Sequence, residues 1–309
     1  MANWLSYSQV GVKEDISDII SNISPTTTPF SSSIGKESVH NTLFEWQEDS
    51  LASTAENARV EGADFATDTL TATVKRQNHT QIQSHTIKVS ATSDAIDAYG
   101  RAQETAYQLS KKAAEFKRDI EFNLVGNRGT GGNNAAAGSS SAARLTANCW
   151  GNDIAGNAVI ANKVDAGTAA TLTEQNILDL GNALYDDGAE ATILMIKPDD
   201  STVIAGFTRS AVGSGNARQE HFANGGRTLV NVVDVYISPY GEYKVVMNRF
   251  MRTDVAFLYD PQDWKIAELR PMTRELLAKT GDADTHAMVT EYGLKHANYN
   301  MSGYVYDLA

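Results

Sequence analysis

Thr42-Leu-Phe-Glu-Trp-Gln47, Leu70-Thr-Ala-Thr-Val-Lys75 and Gln81-Ile-Gln-Ser-His-Thr-Ile-Lys-Val89 read as three β-strands, and the segment between the first two decides how the chain is organised. Each run largely alternates apolar and polar residues, the period-2 pattern of a strand with one buried face. Glu48 to Thr69, between the first two, is small, acidic and short of large apolar residues. A stretch of that composition has too little apolar surface to bury against itself. Two strands that carry a long, weakly apolar excursion predict a projecting hairpin, held by neighbours and not by a core of its own.

Upstream, the first forty residues read as an arm. Asp15 to Ile23 would make two helical turns with Ile16, Ile19, Ile20 and Ile23 on one face. Ser24-Pro25-Thr26-Thr27-Thr28-Pro29-Phe30-Ser31-Ser32-Ser33 should then stop any regular element, because proline fixes φ and biases the residue before it toward extended geometry.

Downstream, Arg101 to Leu124 carries the strongest helical signal. Leu109, Ala113, Phe116, Ile120 and Leu124 recur at steps of three and four and line one face. Lys111, Lys112, Glu115, Lys117, Arg118, Asp119 and Glu121 are assigned to the solvated remainder, with opposite charges placed to pair. Gly126 to Gly138 is a Gly, Asn and Ala-rich surface loop. Thr171-Leu-Thr-Glu174 fits a capping box for a helix buried through Ile177, Leu180 and Leu184 and stopped at Gly188. Ala191 to Ile196 lacks polar alternation, as in a strand covered on both sides. Asp200 is placed to cap a short helix through Val203 to Phe207, and Thr208 to Arg227 is a second loop. The remainder is mainly β: Val230 to Ser238, Tyr243 to Phe250, Val255 to Tyr259, Trp264 to Leu269, and a hairpin of Met272 to Lys279 with Ala287 to Lys295.

The totals exclude more than they assign. The 309 residues carry a formal net charge of −12, a poor match to tight nucleic-acid binding, which depends on phosphate neutralisation by Lys and Arg. The charge does suit a protein that surrounds DNA without adhering to it, and equally suits plain solubility. The apolar runs are too short to cross a bilayer, and the N-terminus lacks the pattern of a signal peptide, so a cytoplasmic product is expected. Cys149 is the one cysteine, which rules out an intrachain disulfide or a Cys-based metal cluster.

Chemistry is sparse. Gly126-Asn-Arg-Gly-Thr-Gly-Gly132 lacks the Lys-Ser/Thr of a phosphate loop and follows a helix, not a strand. His40, His79, His85, His221, His286 and His296 form no helical metal pair. Asp282-Ala-Asp284 and Asp186-Asp187-Gly188 fall where turns and helix ends favour Asp and Gly for backbone reasons. There is no Gly-x-Ser-x-Gly elbow. Arg218, Arg227, Lys244, Arg249 and Arg252 form a basic enrichment without the aromatic interleaving of a base-stacking surface. No catalytic, cofactor-binding or metal-ligating residue is assigned, and no enzyme is expected.

Certain strings carry a family resemblance. Ile23-Ser-Pro-Thr-Thr-Thr-Pro-Phe30 with Ile34-Gly35-Lys36, then Phe44-Glu-Trp46 with Asp49-Ser-Leu51, resembles one branch of the major capsid proteins of tailed bacteriophages. Arg274-Glu-Leu-Leu-Ala-Lys-Thr-Gly-Asp282 with Glu291-Tyr-Gly-Leu294 resembles the same branch, so the likeness covers nearly the whole chain. It implies the α+β tailed-phage capsid fold, shared with encapsulins: an N-terminal arm at about 1–40 and an extended E-loop with its supporting strands at 41–90. A peripheral domain with the spine helix and following loop would span 91–149, an axial domain 150–255, and 256–309 would return to the peripheral domain.

The function so implied is self-assembly into hexamers and pentamers of an icosahedral head around double-stranded DNA. A separate scaffolding protein, a portal and a decoration protein are the implied partners, with no membrane. The implied location is the virion, after assembly in the bacterial host cytoplasm. Pro25, Pro29, Phe30, Phe44, Trp46, Arg59, Glu61, Arg218 and Arg227 are the candidate subunit-interface residues. An encapsulin-like compartment shell, a minor head or decoration protein, and a soluble α+β enzyme with dispersed catalytic residues are the alternatives.

Overall fold

The apolar stripe of the long helical segment folds as expected. In a computed structural model, which describes residues 25–62, 64, 67, 70–96, 103–129, 132–207, 234–279 and 281–309, helix α3 runs from Glu104 to Val125. At 1.5 Å per residue it is roughly 33 Å long. Phe116, Leu124 and Val125 are fully buried, and the helix lies along strand β4 (Gln81–Ser90), which runs into the short helix α2 (Ala91–Ala95). The segments assigned to Asp15–Ile23 and Thr208–Arg227 fall outside the described residues.

Strand β4 is one edge of a four-stranded sheet. Its other members are β1 (Gly35–Ser38), β10 (Trp264–Leu276) and β11 (Ala283–His296), in the order β1-β10-β11-β4. β1 runs parallel to β10, and the other pairings are antiparallel. A six-stranded sheet of order β5-β12-β9-β6-β8-β7 holds β5 (Asn162–Ala170), β6 (Ile193–Ile196), β7 (Val235–Ser238), β8 (Gly241–Met247), β9 (Ala256–Tyr259) and β12 (Gly303–Leu308). Helix α4 (Glu174–Asp186) packs under β5 and β12, and α5 (Pro198–Phe207) follows β6.

β9 explains why two cores form. Every side chain of Ala256-Phe-Leu-Tyr259 is buried, and alternation sends them to opposite faces. Phe257 and Tyr259 join Phe30, Trp150, Trp264 and Tyr292 in one cluster; Ala256 and Leu258 join Ile177, Leu180, Leu184 and Leu194 in the other. A strand covered on both faces has no polar alternation, which is also why β6 reads Ile-Leu-Met-Ile.

Certain expectations need correction. Helix α4 is capped by Thr173, whose hydroxyl accepts the Asn176 N–H at 3.2 Å, and not by Thr171. Leu172 is drawn into the core, which fixes the next residue at the cap, and the Glu174 carboxylate instead accepts the Tyr236 hydroxyl at 3.0 Å. Asp200 is a buried residue inside α5 and does not cap it. Pro29–Ser33 forms a helical turn, α1, instead of breaking all structure, and with β1 it is built into the body. Strand β3 begins at Val74 and runs to His79, so Leu70 to Thr73 lie outside it. β5 and β12 were not foreseen. The Gly-rich loop after α3 also returns into the body, where Thr146, Ala147, Asn148 and Cys149 are fully buried.

One buried group sets a pH dependence. His296 lies flat on Trp264 with ring centroids 3.9 Å apart, donates from Nδ1 to the Val159 carbonyl at 2.8 Å, and accepts at Nε2 from the Ser302 hydroxyl at 3.1 Å. Burial holds this imidazole down, from 6.5 to about 4. Between those values the unfolded chain binds the more protons, so this group's contribution falls as pH drops from 6.5 toward 4, by on the order of 3 kcal/mol in total. Asp263 acts in the opposite sense, because burial raises its carboxyl from 3.8 to about 6. The expected result is therefore a difference. His296→Gln should lower the melting temperature at pH 7 and narrow its gap from wild type as pH falls from 6.5 to 5. A gap that stays constant across that range would refute a neutral buried His296.

Candidate assembly surfaces

The excursion predicted from composition leaves the body through the two-stranded ladder β2 (Leu43–Glu48) and β3, paired from Leu43↔His79 to Glu48↔Val74. The root is tied down by side chains. The Phe44 ring packs over Gly293, where an added Cβ would come within 2.5 Å of it, so only glycine leaves room. Phe44 also stacks on Trp46 with centroids 5.8 Å apart. The Asn78 carboxamide donates to the Leu294 carbonyl at 2.7 Å and accepts the Ala147 N–H at 2.8 Å, joining the hairpin to β11 and to the loop after α3.

Glu48 and Arg76 complete the root. Both are buried, with Arg76 Nε donating to Glu48 Oε2 at 2.7 Å, and the guanidinium carbon lies 4.2 Å from the centre of the Tyr299 ring. Burial pushes the Glu48 carboxyl up, against the pull of Arg76. Glu48 therefore belongs to the root and not, as composition alone placed it, to the excursion.

Beyond this point the surroundings end. Every described residue from Asp49 to Lys75 is exposed, including Leu51 at 99%, Val60 at 81% and Leu70 at 93%. These aliphatic side chains stand in water along a stretch whose described residues have no intrachain core to join.

A second projection lies in the four-stranded sheet. β10 and β11 pair with register shifts on both sides of Arg270, and past that point Met272, Leu276 and Leu277 are exposed. Glu291, buried at 4%, anchors the bend: it accepts from the Thr80 hydroxyl at 2.9 Å, from Arg270 Nε at 2.9 Å and from the Arg144 guanidinium. Arg128 is likewise buried and donates to Gln81, to the Asn133 carbonyl and to the Thr146 carbonyl. Two arginines of the Gly, Ala and Ser-rich loop thus pin it to the sheet, a role its composition did not reveal.

Glu121 is the third tie and another correction. Assigned to the solvated face of α3, it is fully buried. Its two oxygens accept the Phe30 N–H at 2.8 Å, the Ser31 N–H at 2.7 Å and the Asn248 side-chain amide at 2.7 Å. One carboxylate therefore joins the spine helix, α1 and the segment after β8.

The candidate interface residues divide by these contacts. Phe30 and Phe44 are buried in their own chain, so their side chains already serve the core and the hairpin root. Pro25, Pro29 and Trp46 are partly exposed; Arg59 and Glu61 stand on the exposed excursion. Arg218 and Arg227 lie outside the described residues. Among the described residues no group of three His, Cys, Asp or Glu side chains could hold a metal ion. No described helix is long and apolar enough to cross a membrane. Cys149 is buried and its thiol pushed well up by burial, the opposite of an activated nucleophile.

The body is thus a long helix against a four-stranded sheet and a second sheet with its own core, and it carries an excursion whose described residues lack intrachain cover. Solved structures carry the same fold. The capsid of cyanophage A-1(L) superposes with a TM-score of 0.70 over 99% of both chains at 13% identity. The capsid of a native GTA particle gives 0.65 over 98% of both at 15% identity. The SrpI encapsulin of Synechococcus elongatus gives 0.55 over 94% of this chain and 92% of its own at 7% identity. In sequence the chain is 33% identical to the major capsid protein of Escherichia phage Phieco32, over all of this chain and 99% of that one. Residues 4–309 match the SU10 major capsid protein family, and the chain belongs to that family. It is a phage head shell protein, as the resemblance implied.

Proposed function

We propose that this subunit closes into hexamers and pentamers of an icosahedral head that encloses double-stranded DNA, with a scaffolding protein and a portal as assembly partners. The observation that carries this reading is the excursion from Asp49 to Thr73, whose described aliphatic side chains have no cover within the chain. A head-to-tail ring gives each such excursion a neighbour to lie on, and the ring closes on itself. The formal net charge of −12 keeps the packaged duplex from adhering to the wall, since few phosphates would be neutralised.

Negative-stain microscopy of the protein expressed alone, and then with its neighbouring genes, tests the proposal. Rings, tubes or closed polyhedral shells are expected, with closed shells of one diameter once a scaffold is present. Small discrete particles under both conditions would overturn it.

A further inference from the structure

The hairpin root ends abruptly, and what stands at its end is a charged pair. Packing alone would have been served by an apolar pair, since buried ion pairs add little net stability over hydrophobic residues of the same size. What an ion pair adds is direction. Arg76 Nε meets Glu48 Oε2 at 2.7 Å, while its guanidinium lies on the face of Tyr299, in the turn between β11 and β12. One contact fixes the two strands to each other; the other fixes them to the body.

Glu48 also meets the Tyr299 backbone, so the three residues come together at this point. Asp153, His296 and Tyr299 are the other titratable groups lining the cavity of about 20 Å³ around the pair. The Asp153 carboxylate is taken by the Asn157 backbone and side-chain N–H groups at 2.8 and 3.0 Å. His296 is committed to Val159 and Ser302. Glu48 is thus the carboxylate available to Arg76 at the point where the excursion departs.

Direction at this point matters because of the lever beyond it. A hairpin of about 25 residues, fully extended, would reach roughly 40 Å at about 3.3 Å per residue, so a tilt of about 10° at such a root would move its tip by roughly 7 Å. That is more than the spacing of one strand from the next, enough to miss a neighbour's surface.

We propose that Glu48, Arg76 and Tyr299 form an aiming latch: positioning residues that set the angle at which the excursion leaves the subunit and so place it on the adjacent copy in the shell. This rests on the shell assembly proposed above, and the test separates the two. Nitroxide labels at Ala55→Cys and Lys111→Cys, both at exposed positions, report the excursion against the spine helix in the unassembled subunit, while the native Cys149 is buried from the reagent. In Glu48→Leu with Arg76→Met, the melting temperature should stay within a few degrees of wild type and the label distance distribution should at least double in width. The yield of closed shells of uniform diameter should fall several-fold.

Glu48→Gln, which keeps the side-chain volume, gives the same readout should the double variant fail to fold. A distance distribution as narrow as wild type in the folded variants overturns the latch, whatever the shells do. A broadened distribution with wild-type shell yield overturns its role in placement. Wild-type protein that builds no shells overturns the assembly reading instead, and leaves the label experiment to judge the latch alone.

Discussion

Replacing Glu121 by leucine should lower the melting temperature of the unassembled subunit by about 10 °C or more. The carboxylate is the acceptor for three buried donors: the Phe30 and Ser31 N–H groups and the Asn248 amide. Leucine fills the space but accepts nothing, and each donor left buried without a partner costs about 1–3 kcal/mol. A total of about 3–9 kcal/mol is a large part of the roughly 5–15 kcal/mol by which a domain is stable. The donors come from two segments far in the chain from Glu121 and from each other, α1 and the segment after β8, so the loss is not repaired locally. Glu121→Gln should fall between, because its carbonyl satisfies part of the set while its NH2 faces the remaining donors. Thermal unfolding followed by near-ultraviolet circular dichroism decides the matter. A leucine variant within 3 °C of wild type would mean that the network contributes nothing.

Deletion of residues 52–68 should have the converse profile. The subunit should unfold cooperatively within a few degrees of wild type, because the described residues of that stretch are exposed and take no part in either core. Closed shells should disappear, because Val60 and the acidic tip around Glu56 and Glu61 go with it. Calorimetry reads the first expectation and electron microscopy the second. Normal shells would remove the excursion from assembly; a subunit that no longer unfolds cooperatively would mean that it contributes to an intrachain core.

The contrast between these two predictions also marks what the sequence could disclose. The excursion was legible because its signal is local: a long run with few large apolar residues between two alternating strands. The spine helix was legible for the same reason, through the spacing of Leu109, Ala113, Phe116, Ile120 and Leu124. Glu121 was not, because a carboxylate on a helix reads as solvated unless one knows that the amides of residues 30 and 31, some ninety positions earlier, come to meet it. Arg144 and Arg128 escaped notice for a related reason: their partners sit on β4 and β11, and the loop that carries them looks soft by composition. β5, with its Asp165-Ala-Gly-Thr168 centre, has almost no strand propensity and owes its form to the register it takes beside β12. The cap of α4 shifted by two residues because the core claimed Leu172, a choice that no local pattern contains.

The sheet topology carries a last consequence, for the timing of synthesis. Lys36 pairs with Glu268, 232 residues later, and β4 waits for β11 from the far end of the chain. At roughly 5–20 residues per second a ribosome needs on the order of ten to fifty seconds to supply those partners. Until then β1 and β4 have no partner strands, although β2 and β3 can pair with each other, and such non-local pairing is slow even once the chain is complete. The nascent chain is therefore a natural substrate for holding chaperones. The delay has a benefit as well: the excursion's root cannot set until Tyr299 has left the exit tunnel, so the subunit does not become fit to meet its neighbours before β11 has been supplied.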